Sequence, residues 1–450
     1  LKTEQSESLQ VPDSSRNPQP ANPGTKIKSM TEETKYLPGL KLREITLKVP
    51  LNHLEPEGRQ IDIFARVATH EDGEKKPYLV FFQGGPGSED PRPSLYPDTN
   101  PNWLERVLQD YQVVLLDQRG TGRSTPVYAT TDRGALAGLD PQGQAEYLSH
   151  LRADEIVNDA EAVRQYLGVQ QWVSMGQSFG GFTTLRYLSA YPESLAGAII
   201  TGGLTAVGHP IEDIYAATWQ IMLEKTEAYY RQFPGDRKKV ARVAQLCAAG
   251  KLRLPSGEAL SLARWRNIGS RLGAQGGDLW LHNLLDHEAL SAVFSHDLAD
   301  ALPFTGRNPI YSVLHESCYA DGVSTRWAAQ RTMPAAVRDD PTRFAGEHIS
   351  HAIFTEDREL ANLAAAADVL ATHEWPKLYQ PENLKAAQVP VAAVAYFHDA
   401  FVPLEYSLET AALLPQCRLW VTSEYEHNGL RRDTRVIDRL IKLLQGKITQ

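Results

Sequence analysis

Ser178 stands in "VSMGQSFGGFTT" (173–184), with Gly176, Gly180 and Gly181 around it, where an apolar strand pattern gives way to a helical one. The run fits G-x-S-x-G, a sharp strand–turn–helix elbow that thrusts a serine oxygen above a sheet with the helix N-terminus beneath it. Glycines there weaken both flanking elements, so the chain trades local stability for the exposure of one hydroxyl. The motif alone recurs by chance; its placement between a buried-type strand and a helical run gives it meaning. A serine hydroxyl attacks poorly until a base removes its proton. In folds built on such an elbow the acid follows a late strand and the histidine follows the next. "VAAVAYFHDAFVP" places Asp399 just past a strand end, and "CRLWVTSEYEHNGL" places His427 after the last strand. Glu424 and Glu426 share the short loop of His427 and are badly placed to orient its ring, and His398 reads as a solvated loop residue. The oxyanion of a tetrahedral intermediate needs two donors already in place. The amide of Phe179 is one. The other is expected from "FFQGGPGSED", where Gly84 and Gly85 leave the backbone accessible and Gly85 is the candidate donor. The loop "LLDQRGTGRS" also ends a buried strand, and its Asp117 and Arg119 read as a structural pair.

The elements that must position these residues follow from periodicity. "LREITLKVPL" and "RQIDIFARVA" alternate as antiparallel strands do. "PYLVFFQ" and "QVVLLDQ" are continuous apolar runs, as expected of strands buried on both faces of a parallel sheet. In "ADEIVNDAEAVRQYLG" the residues Ile156, Ala160, Val163 and Leu167 share one helical face, and Gly168 suits its C-cap. "WVSMG" and "LAGAIITGG" continue a β/α alternation that predicts a mostly parallel sheet. From about residue 207 to 385 the chain turns Ala/Leu/Arg-rich and helical, after which "VPVAAVAYF", "CRLWVTS" and a final helix "VIDRLIKLLQ" resume the strand pattern. A helical insertion therefore splits an α/β domain. The first residues, rich in Ser, Gln, Asn and Pro, cannot bury enough surface to order themselves, and a disordered tail is expected over 1–35.

The 450 residues carry a formal charge of −9 with no Lys/Arg run, which speaks against a nucleic-acid partner. The acidic surplus suits a site for cationic substrates and is equally the ordinary balance of globular proteins. Cys247, Cys318 and Cys417 lie far apart without a CxxC pair, so neither a disulfide framework nor a zinc ribbon is expected. Reduced thiols and the absence of a signal-peptide pattern point to the cytoplasm. No apolar run approaches the roughly 18–20 residues that span a bilayer, and no membrane association is expected. The chemistry calls for neither metal nor organic cofactor.

Together, "QGGPG", "DQRGTGRST", "GQSFGG", "YEHNGLR" and "YLSHLRADEIVNDAEAVR" resemble the proline iminopeptidase (prolyl aminopeptidase) family of α/β-hydrolase peptidases, particularly its larger bacterial branch. The resemblance runs over about 36–446, and "NPIYSVLHESCYADG" and "FAGEHI" are similar to that branch's cap. Gln83 departs from the smaller members, which carry His before GGPG. The resemblance implies an α/β-hydrolase fold with a mostly parallel sheet, its core at 36–206 and 386–450, and a helical cap at 207–385 inserted after the sixth strand. It implies a serine exopeptidase that releases N-terminal proline from short peptides with a free terminus, through Ser178, His427 and Asp399 and a prolyl-enzyme intermediate. A cap carboxylate pair would hold the charged imino group, with Glu316 the best match and Glu347 the second; either is alternatively a surface charge of a cap helix. Phe304, Tyr311, Tyr319 and Trp327 are candidates for the pocket wall or for plain cap core. An esterase or an aminopeptidase of other specificity would use the same triad. A non-catalytic binding protein of this fold is a further alternative, against which the complete set of nucleophile, base, acid and oxyanion loop speaks. The oligomeric state is left open.

Overall fold

The computed structural model describes residues 29–96 and 103–449. Its strands are β1 (Ser29–Leu37), β2 (Leu40–Pro50), β3 (Gln60–Thr69), β4 (Tyr78–Phe82), β5 (Gln112–Asp117), β6 (Trp172–Gln177), β7 (Leu195–Thr201), β8 (Val391–Tyr396) and β9 (Cys417–Thr422). They form one sheet in the order β1-β2-β3-β5-β4-β6-β7-β8-β9. The pairs β1/β2, β2/β3 and β3/β5 are antiparallel, and every pairing from β5 to β9 is parallel. This is the α/β-hydrolase fold.

The central strands read as unbroken apolar runs because both of their faces are covered. Val80, Phe82, Val114 and Leu116 point into one hydrophobic cluster, together with Leu185 and Leu188. Leu79, Phe81, Val113 and Leu115 point the other way, onto Trp103, Leu104, Ile437 and Leu440. The covering helices include α1 (Leu104–Leu108), α2 (Pro141–Ser149), α3 (Ala153–Tyr166) and α4 (Phe179–Ala190), and the last is Thr434–Leu444. Between β7 and β8 the chain is helical, starting with the 22-residue α5 (Ile211–Gln232). Ile211, Tyr215 and Trp219 of α5 form a small separate core with Ala328, Ala329 and Val337. Among the described residues no helix is long and apolar enough to cross a membrane.

Three expectations change. Residues 29–35, assigned to the tail, belong to β1; the rest of that tail, 1–28, lies outside the described residues. β1 is a polar edge strand fastened by charge: Lys35 Nζ lies 2.7 Å from Glu44 Oε2, and Arg43 Nη2 2.9 Å from Glu32 Oε1, both across the β1/β2 pair. The insertion accordingly follows the seventh strand rather than the sixth. At its far end the helix Pro381–Ala386 packs on α4: Asn383 Nδ2 donates to the Ser189 carbonyl at 2.9 Å, and Ser189 Oγ accepts from the Gln380 amide at 2.8 Å. That helix sits on the sheet layer instead of in the roof.

Asp117 and Arg119 do not pair. Asp117 holds its own loop by accepting from the amides of Asp90 and Arg123 at 3.2 and 2.9 Å. Arg119, fully buried, donates to both carboxylate oxygens of Asp159 at 2.6 and 2.7 Å and to the carbonyls of Leu51 and His150 at 2.5 and 2.7 Å. Breaking a buried pair leaves an uncompensated charge behind. Arg119→Met is expected to lower unfolding free energy by about 3–5 kcal/mol in chemical denaturation. A loss below about 1 kcal/mol would show that this pair does not tie α3 to the sheet.

Candidate active site

β4 and β6 are neighbours, paired as far as Phe82 opposite Gly176, so the loops leaving their C-terminal ends emerge side by side. Ligands of open α/β sheets bind at such carboxyl edges. Ser178 adopts φ 53° and ψ −120°, a conformation costly for any residue with a side chain. Its side chain does not cap α4. Its amide donates to the Thr201 carbonyl at 2.9 Å, and its carbonyl accepts from the Gly181 amide at 2.7 Å. The glycines of the motif have a steric reason. A Cβ at Gly176 would fall 2.0 Å from the Gly180 carbonyl oxygen, and one at Gly180 would fall 1.9 Å from the Phe82 carbonyl oxygen. The helix therefore crosses both strands at backbone contact.

Asp399 lies in the turn after β8. Its Oδ1 accepts from the amides of Phe401 and Val402 at 2.9 and 3.0 Å, and its Oδ2 accepts from His427 Nδ1 at 2.7 Å. With Nδ1 committed to the carboxylate, Nε2 is the nitrogen left to take a proton. The loop of His427 is fastened to the insertion at three points. The His427 amide donates to the Gly273 carbonyl at 3.2 Å, Asn428 Oδ1 accepts from the Gln275 amide at 3.0 Å, and Lys225 Nζ lies 2.7 Å from Glu426 Oε2. A Cβ at Gly202 would lie 3.2 Å from His427 Nδ1, so the imidazole and the Ser178 amide border the same short stretch after β7. Among the described residues no hydrogen bond joins the Ser178 hydroxyl to the His427 ring, whose side-chain hydrogen-bond partner is Asp399.

The loop after β4 lies against the serine: a Cβ at Gly84 would sit 3.2 Å from Ser178 Cβ. The Gly84 amide is occupied by Gln83 Oε1 at 3.1 Å. The amides of Gly85, at φ 73°, and Phe179 have no partner among the described residues.

The two cap carboxylates differ. Glu316, buried, accepts from the Ala329 amide at 2.9 Å at the start of the short helix Ala328–Arg331 and lines a small internal cavity with Thr325 and Trp327. Burial pushes its carboxyl up, against the hydrogen bonds it accepts. Glu347 accepts from the Tyr311 hydroxyl and from His315 Nε2, the latter at 3.3 Å. Burial opposes its charge, but these bonds together with the nearby His315 and His427 hold its carboxyl below the ordinary glutamate range. Burial alone would depress His427, yet the Asp399 carboxylate, with Glu347 behind it, raises its pKa above the ordinary 6.5. Of the two cap carboxylates, Glu347, the second choice from sequence, is the one whose charge bears on His427, beside those of Asp399 and Glu426.

Of the aromatic candidates, Tyr311 passes 3.8 Å from the Cβ position of Gly85, and the Tyr319 ring packs, tilted by 58°, at 5.7 Å from Phe182 of α4. Phe304 packs on Tyr311 at 5.1 Å, whereas Trp327 packs into the cap against His351 and Phe354. Sequence reading missed His315, which lies inside the quoted "NPIYSVLHESCYADG", and Arg431, which lies inside the quoted "YEHNGLR". Among the described residues no group of three or more His, Cys, Asp or Glu is placed to hold a metal ion.

An elbow serine at the carboxyl edge of a mostly parallel sheet, with a histidine–aspartate pair on the last two strands' loops, defines an α/β hydrolase. Residues 77–248 match the family described as alpha/beta hydrolase fold. The chain is 40% identical over 410 residues to a proline iminopeptidase of Aeromonas sobria, covering 88% of this chain and 94% of that one. It is 30% identical over 429 residues to a proline iminopeptidase of Aspergillus aculeatus, covering 90% and 94%. The chain belongs to the proline iminopeptidase family.

Only the neutral imidazole can accept the serine proton, so the acidic limb of kcat/KM for a neutral ester tracks the His427 pKa and should lie above 6.5. Glu347→Gln removes an anion that favours the imidazolium, and the limb should move to lower pH. A limb that stays in place or moves up would show that Glu347 does not act on His427.

Proposed function

We propose that this enzyme releases N-terminal proline from short peptides by acyl transfer through Ser178. His427 Nε2 takes the Ser178 proton as the oxygen attacks the prolyl carbonyl. The amides of Phe179 and Gly85 receive the developing oxyanion. His427, oriented by Asp399, then protonates the departing peptide amine, and water hydrolyses the prolyl-enzyme with the same histidine as base. The helical insertion, from about residue 207 to the residues before the helix Pro381–Ala386, acts as the roof that limits entry to free-ended chains.

The observation that carries this reading is Glu347: a carboxylate kept ionised against burial, on the roof, whose charge acts on the catalytic histidine itself. An exopeptidase must register a free terminus, and a cation entering a desolvated site needs a fixed anion. Glu347 supplies it, with Tyr311 and Tyr319 as apolar wall for the ring. Glu316 is assigned a supporting role, since its oxygen is already engaged by the Ala329 amide.

Aminoacyl-naphthylamides of proline, alanine and leucine, with free and acetylated termini, test the assignment. Free prolyl-naphthylamide should be the preferred substrate and its acetylated form inert. Glu347→Gln should lower kcat/KM for the free form by about 10²-fold while largely sparing a small neutral ester at a pH where His427 is neutral. Ser178→Ala should abolish both activities, by on the order of 10⁶-fold in kcat. Equal turnover of the free and acetylated prolyl substrates would replace this reading with that of an esterase or amidase on the same triad.

A further inference from the structure

Gln83, directly after β4, and Gln177, the last residue of the neighbouring parallel strand β6, stand before the oxyanion loop and before the nucleophile, and both are buried. Their side-chain oxygens converge on one guanidinium. Arg431 Nε donates to Gln177 Oε1 at 2.8 Å, and Arg431 Nη2 donates to Gln83 Oε1. Gln83 is held further on every side: its Oε1 accepts from the Gly84 amide at 3.1 Å, its Nε2 donates to the Glu89 carbonyl at 3.3 Å, and its own carbonyl accepts from Gln118 Nε2 at 3.0 Å. Arg431 rides on the helix Gly429–Arg432, directly after the His427 loop. Asp90, 1% exposed, lies close by, and burial beside Asp117 pushes its carboxyl well up, so the two glutamines are the acceptors that fix the guanidinium.

We infer that Arg431 is a positioning residue that clasps the oxyanion loop to the nucleophile strand and registers both against the loop of the base. Gly84 and Gly85 bring no side chains of their own to fix the loop, so the Gly84 amide is set by Gln83, and Gln83 by Arg431. Oxyanion donors work because they stand in place before charge develops. A planar fork can hold two acceptors in a fixed relation, which an ammonium cannot. The inference rests on Ser178 as nucleophile, but not on proline as the substrate.

The test compares wild type, Arg431→Met, Arg431→Lys, Gln83→Met and the Arg431→Met/Gln83→Met double variant. Readouts are the rate of Ser178 labelling by a fluorophosphonate, kcat and KM on prolyl-naphthylamide, and folded fraction by circular dichroism. Arg431→Met should lower kcat and the labelling rate together by about 10–100-fold, as expected for small misplacement of catalytic groups. KM should stay within about threefold, because the anion that receives the substrate terminus is untouched, and Arg431→Lys should restore only part of the rate. The double variant should be no slower than Arg431→Met, since both changes cut one connection. Unchanged kcat and labelling per folded molecule in Arg431→Met, or additive losses in the double variant, would overturn the clasp. Should Arg431→Met fail to fold, Gln83→Met alone decides by the same kcat and labelling criterion. A wild type that resists labelling removes the serine mechanism and the clasp together; a labelled wild type with an unaffected variant removes only the clasp.

Discussion

Backbone contact between α4 and the strands β4 and β6 sets everything above the sheet. With any side chain at position 180 the helix would collide with the Phe82 carbonyl, so it can start directly under Ser178 only because that position is bare. The elbow that results forces Ser178 to φ 53°, a strain on the order of 1–3 kcal/mol. The surrounding strands, buried on both faces, hold that strain in place. Because β4 and β6 are adjacent, the same contact brings the "QGGPG" loop against the serine.

Charge is the second constraint. Asp399 spends one oxygen on two backbone amides and the other on His427, so its position does not depend on the ring it orients. Glu347 is likewise held by Tyr311 and His315. Burial disfavours the imidazolium of His427; the carboxylates around it keep it easier to protonate than a free histidine in spite of that. Asp399 thus meets the imidazole by contact from the sheet edge, while Glu347 from the insertion and Glu426 from the histidine's own loop act on it through charge.

The candidate site residues were more legible in the sequence than the frame around them. Ser178, Asp399 and His427 stand out because each follows a strand signal that is itself strong. The buried runs at 79–82 and 113–116 could only be central strands. β1 was misread because its "TEETK" lacks apolar alternation: what holds it is pairing to β2 and cross-strand charge, neither of which shows in its own residues. Arg119 was paired with the wrong aspartate because Asp117 is two residues away and Asp159 forty. The ranking of Glu316 over Glu347 was made without a tertiary fact that sequence does not carry, the hydrogen bond from the Ala329 amide to Glu316. Arg431 escaped notice since its partners are glutamines, residues that announce no chemistry.

The outermost strand has a use beyond completing the sheet. Among the described residues β1 ends the sheet, and the exposed edge of a terminal strand is a place where another molecule's strand can add on and aggregates can grow. Residues 31–37 are all solvent-facing, and Glu32, Glu33 and Lys35 line that rim with ionised groups that would lose hydration on such an encounter. The polar makeup that hid this strand from sequence reading thus works as a guard against self-association along the edge of the sheet.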